Sequence, residues 1–64
     1  MKKLVLKTRN IDGIFSNYTV VYPLNELEKA IAQFKHLNSI GSNAEIWISE
    51  NGLIQTKILS KGDL

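Results

Sequence analysis

Residues 44–59 constrain the fold more than any other stretch, because two apolar alternations flank an Asn51-Gly52 pair that marks a hairpin turn. The length of the loop decides which side chains share a face. With Asn51 and Gly52 alone in the loop, Ile48 would oppose Gln55 and Ile46 would oppose Lys57, stranding Ile54 and Ile58 on the far side with Glu45. A three-residue loop, Glu50-Asn51-Gly52 with Gly52 left-handed in a G1 bulge, instead gathers Ile46, Ile48, Ile54, Thr56 and Ile58 on one face. Glu45 then opposes Lys57, and Trp47 opposes Gln55, on the reverse. The pattern therefore predicts the three-residue loop.

The remaining elements follow from changes of period. Residues 3–9 alternate, with Leu4, Leu6 and Thr8 on one side and Lys3, Val5, Lys7 and Arg9 on the other, and residues 15–22 are rich in aromatic and β-branched side chains. A three-residue Ile11-Asp12-Gly13 loop sets Leu6 opposite Tyr18 and Leu4 opposite Val20, giving the inward set Leu4, Leu6, Tyr18, Val20 and Tyr22. Pro23 closes the second strand, since it has no N–H for a ladder. Leu27, Ala30, Ile31, Phe34 and Leu37 then recur at helical spacing and predict a helix over 26–38. Asn25 reads as its N-cap, with Glu28 in the capping-box position. Strands are expected at 3–9, 15–22, 44–49 and 53–59, and residues 60–64, which lack periodicity, as a loose tail.

Two hairpins around one helix make an α+β domain of order ββαββ, a four-stranded, mainly antiparallel sheet with the helix packed on one face. This order of elements resembles the compact β-grasp domains typified by the immunoglobulin-binding domains of protein G. The resemblance covers the chain as a string of elements, without a shared sequence motif, and implies terminal strands side by side at the sheet centre. An alternative order joins the second and third strands there, and the crossover rule permits both.

Composition then removes whole classes of function. A chain of 64 residues is one domain, and at that size a lone core is marginal without disulfides, a metal or self-association. Cysteine is absent and His36 is the lone histidine, so neither a disulfide framework nor a zinc cluster can be assembled within one chain. Eight cations against six anions is too small an excess to imply nucleic acid by itself. Lys7 interrupts the apolar run Leu4-Val5-Leu6, so no secretory signal fits, and no run approaches a membrane span; a cytoplasmic protein is expected. Seven lysines to one arginine, with frequent asparagine and isoleucine, point to an AT-rich genome such as that of a low-GC bacterium or its phage.

No constellation for catalysis emerges. His36 falls on the polar side of the helix near its C-terminal end, where a protonated ring suits the dipole, and no serine is spaced to couple with it. Glu26 and Glu28, two residues apart on a helix, do not face each other. Neither an enzyme nor a cofactor is expected. One helix can cover only one face of the sheet, and the reverse face carries Trp47 and Phe15 as aromatic anchors, with Val5, Val21 and Leu53 beside them and Lys7, Arg9, Gln55 and Lys57 at the rim. The expected function is a small interaction module, a homodimer or a phage or mobile-element accessory protein that binds a larger protein through that face. The alternative is nucleic-acid binding, with bases stacked on Trp47 and Phe15 and phosphates tracked by Lys3, Lys7, Arg9 and Lys57.

Overall fold

Lys2–Arg9 (β1), Phe15–Pro23 (β2), Leu27–Ser39 (α1), Asn43–Glu50 (β3) and Leu53–Leu59 (β4) are the main elements of the computed structural model. It describes residues 1–9, 13 and 15–63, with backbone alone at Phe15, Ser16, Asn17 and Gln55. The expected α+β architecture is present: α1 packs on one face of a four-stranded antiparallel sheet of order β2-β1-β3-β4.

That order is neither of the two expected. β1 and β3 occupy the centre as antiparallel neighbours, so the terminal strands β1 and β4 do not touch as a β-grasp would require, and β2 and β3 do not pair. β2 and β3, each antiparallel to β1, run parallel to one another, and α1 carries the chain between them across β1. Burial explains the choice. Leu4 and Leu6 of β1 and Ala44 and Ile46 of β3 are the strand residues most completely enclosed with Ala30, Phe34 and Leu37 of α1. The two strands with the strongest apolar faces take the two positions under the helix, which leaves Pro23 and the polar Thr56 and Lys57 on edge strands.

In the first hairpin the pairing is Leu4 with Tyr22 and Leu6 with Val20, two residues along from the expected register, and it shifts between Lys7 and Arg9 so that Arg9 faces Phe15. A shift of two preserves the side of every residue. The inward set accordingly stands, with Val20 and Tyr22 packed against the core and the Tyr18 hydroxyl accepting a hydrogen bond from Gln33 Nε2 at 3.2 Å. Of the Ile11-Asp12-Gly13 loop only Gly13 is described, with φ +85°, so the loop itself lies outside the described residues.

The second hairpin corrects the expectation outright. Glu50 pairs with Leu53, so the loop is Asn51-Gly52 alone, and both residues have positive φ, 53° and 85°, as a type I′ turn requires. The core is rescued by register shifts in β4, which leave Gln55 and Ile58 unpaired, so that Thr56 opposes Ile48 and Leu59 opposes Ile46. Leu59 packs against the core where Ile58 was expected. Ile54 pairs with Ser49 and moves to the reverse face.

The helix starts one residue later than expected and without the Asn25 cap. A 3-10 turn, Leu24–Glu26, leads into it, Glu26 is the N-cap, and no side chain caps it. Leu27 is correspondingly exposed and not core. The C-terminus ends in a Schellman motif: Ser42 N donates to Leu37 O at 3.0 Å and Gly41 N to Asn38 O at 3.3 Å, with Gly41 at φ +97°. Residues 61–63, expected to be loose, form a second 3-10 turn in which Ser60 N donates to Asp63 Oδ2 at 2.8 Å and Asp63 N to Ser60 O at 2.9 Å.

Candidate functional site

The face of the sheet away from α1 is built around a carboxylate. Glu45 sits on β3 opposite Lys7 of β1, yet it is among the buried polar residues. Its neighbours enclose it: Arg9 Nε donates to Oε2 at 2.8 Å, Trp47 Nε1 donates to Oε1 at 2.9 Å, and Lys57 Nζ stands 4.0 Å from Oε2. The same ammonium lies 5.8 Å from the centre of the Trp47 ring. Arg9 Nη1 also donates to Gly13 O at 2.7 Å, tying the first hairpin to this cluster. Burial pushes the Glu45 carboxyl up, but hydrogen bonds from Arg9 and Trp47, with the charges of Arg9 and Lys57, outweigh it and hold the group below its ordinary value.

The cluster changes the meaning of several expected contact residues. Trp47 is half-buried, with its indole N–H committed to Glu45, so it organises the face as well as presenting a surface. Val5 lies between its cross-strand neighbours Val21 and Trp47 and is only 5% exposed, so it forms part of the floor of this face and is not a projecting contact. Leu53 pairs with Glu50, placing it in register with the helix-side residues of β3, off the expected face, and it is exposed there. Lys7 and Arg9 are half-buried and Lys57 is exposed on the reverse face, whereas the side chains of Phe15 and Gln55 lie outside the described residues.

What remains open is a groove of about 530 Å³ at the end of the face remote from Glu45, lined by Met1, Lys3, Thr19, Val21, Ser49 and Ile54 among others. Val21 is 53% exposed and Ile54 40%, and Met1 is exposed beside them. Ile54 was missed because a three-residue loop was expected; the two-residue Asn51-Gly52 turn pairs it with Ser49 and so sets it on this face. The Met1 amine donates to Asn51 Oδ1 at 3.0 Å and Asn51 N to Met1 O at 3.3 Å, so the turn closes the groove's lower end.

His36 is exposed in the last turn of α1, and Glu26 is engaged by Lys29 at 3.2 Å. Among the described residues, no three His, Cys, Asp or Glu side chains cluster to hold a metal ion, and no helix is long and apolar enough to cross a membrane. Comparison of the chain with protein-family models, with curated proteins and with solved structures finds no match.

Proposed function

We propose that the protein is a non-catalytic binding module that docks another protein surface on the sheet face opposite α1, with a second copy of the chain as the first occupant to test. One observation carries this reading: Val21, Ile54 and Met1 stay exposed around a single groove on that face, while Trp47, the cross-strand neighbour of the groove residue Val5, is held in a fixed orientation by Glu45. Apolar Val5, Val21 and Ile54 interleaved with polar Lys3, Thr19 and Ser49 give the groove the mixed composition of a protein interface. A pre-oriented anchor limits the entropy lost on docking. An accessory role in a phage or mobile element belongs to the same reading and rests on size and composition.

Nucleic-acid binding through this groove is the weaker alternative, because among the described residues Lys3 is the one cationic side chain lining it. Light scattering coupled to size exclusion, run over a concentration range at low and high salt, tests the proposal. A salt-insensitive dimer that Val21→Lys and Ile54→Lys both dissociate supports it. A monomer at every concentration that binds single-stranded oligonucleotide, with affinity falling steeply in salt, overturns it.

A further inference from the structure

A second cavity, of about 400 Å³, lies at the opposite end of the sheet, where the turn after β4 folds back beside β3. Arg9, Lys57 and Lys61 line it together with Asn43 and Ser60, against one carboxylate, Glu45. Among the described residues, three cations and one anion line the wall. The distribution is more telling than the count. The Glu45 side chain is 11% exposed, whereas those of Arg9 and Lys57 are 30% and 44% exposed, so the cations present more surface than the carboxylate between them. Lys57, with Nζ 4.0 Å from Glu45 and 5.8 Å from the centre of the Trp47 ring, is held near its partner without a close contact, and its side chain is 44% exposed. Asp63 is turned onto Ser60 N and Oγ, at 2.8 and 3.3 Å, within its own turn.

We propose that this cavity is a binding site for a phosphate group, with Lys57 and Lys61 supplying ammonium donors, Arg9 fixing the positive wall, and Asn43 and Ser60 adding neutral polar contacts. Charge-assisted hydrogen bonds from several cations to one tetrahedral oxyanion are the strong class of such contacts. Glu45 has a positioning role: by holding Arg9 and drawing Lys57 in from β4, it sets the spacing of the cationic wall. The site is separate from the groove around Val21 and Ile54 and does not depend on its function.

The test is a titration of the 15N-labelled chain with inorganic phosphate, against sodium chloride at matched ionic strength, followed at the amides of Asn43, Ser60 and Gly62 and at the Trp47 indole. Saturable shifts confined to these signals, absent with chloride and weakened at least about tenfold in the Lys57→Gln, Lys61→Gln double variant, support the site. A Lys2→Gln, Lys35→Gln double variant removes the same charge elsewhere and should bind as the parent does. Equal shifts with chloride, or equal weakening in both double variants, overturn the proposal, since either would mean a net-charge effect. Glycerol phosphate and a single-stranded oligonucleotide, titrated in parallel, distinguish a small phosphomonoester from a nucleic-acid phosphate as the source, according to which binds more tightly than inorganic phosphate.

Discussion

Asn38 Oδ1 accepts the backbone N–H of Ala44 at 2.9 Å while its Nδ2 donates to Phe34 O at 3.1 Å, so one buried amide fastens the last turn of α1 to the first residues of β3. This contact fixes where the central strand enters the sheet. Asn38→Ala strips the Ala44 amide of that acceptor and should cost about 1–3 kcal/mol. Asn38→Asp keeps the acceptor but sets a buried carboxylate against the Phe34 carbonyl at the negative end of the helix, and should cost more. Urea unfolding followed by tryptophan fluorescence checks the order, and equal stability in all three proteins would show the bond to be incidental.

The Glu45 cluster gives the protein an acid sensitivity whose sign follows from its pKa. The folded-state value lies below the ordinary 4.5, so the stabilisation is fully present above that value and is lost as pH falls through the depressed one. The stability difference between the parent chain and Glu45→Gln should therefore be largest near neutrality and shrink below about pH 4. Denaturation midpoints across that range measure it; a difference that stays constant with pH would mean the carboxylate is not the group responsible.

Trp47→Ala should destabilise the fold and not act at the surface alone, because it removes a donor to a buried carboxylate and one of the two neighbours shielding Val5. A loss of about 1–3 kcal/mol is expected for the unpaired Glu45 oxygen, and Trp47→Phe, which keeps the ring body, should lose less than Trp47→Ala. Val21→Lys and Ile54→Lys, at exposed positions, should stay within about 0.5 kcal/mol of the parent. Thermal melts of the four variants separate structure from docking.

Gly52→Ala isolates backbone strain. No atom lies within 4 Å of where the new Cβ would sit, so steric contact with the rest of the protein adds nothing and the cost is that of a left-handed alanine, about 1–2 kcal/mol. Gly62→Ala, equally uncrowded but without a positive φ, serves as the matched control and should be near neutral. If both cost the same, the turn conformation is not what demands glycine at position 52.

The parts of this architecture readable in the chain are those protected by periodicity. In β2 the pairing slid by two residues and every side chain kept its face, so Leu4, Leu6, Tyr18, Val20 and Tyr22 were identifiable without the correct register. In β4 no such protection exists: the two-residue turn and the shifts at Gln55 and Ile58 each reverse parity, which put Ile54 on the groove and Leu59 in the core against the simplest alternation. The electrostatic heart of the reverse face was half legible. Glu45, Lys57 and Trp47 were expected on one side, but one of the two hydrogen bonds that enclose Glu45 comes from Arg9, 36 residues away in the sequence. Strand order was hidden for a similar reason, since it is decided by which apolar faces compete best for the helix.

Placing β1 between β2 and β3 has a consequence for the chain as it emerges from the ribosome. β1 can pair with β2 as soon as that strand is made, but its other edge must wait for residues 43–50, with Leu4 meeting Ile48 only after the intervening helix has been made. During that interval the nascent hairpin offers an open backbone edge beneath an apolar strip containing Leu4 and Leu6. The lysines at positions 2, 3 and 7 lie along this strand and guard it against the wrong neighbour until the right one arrives.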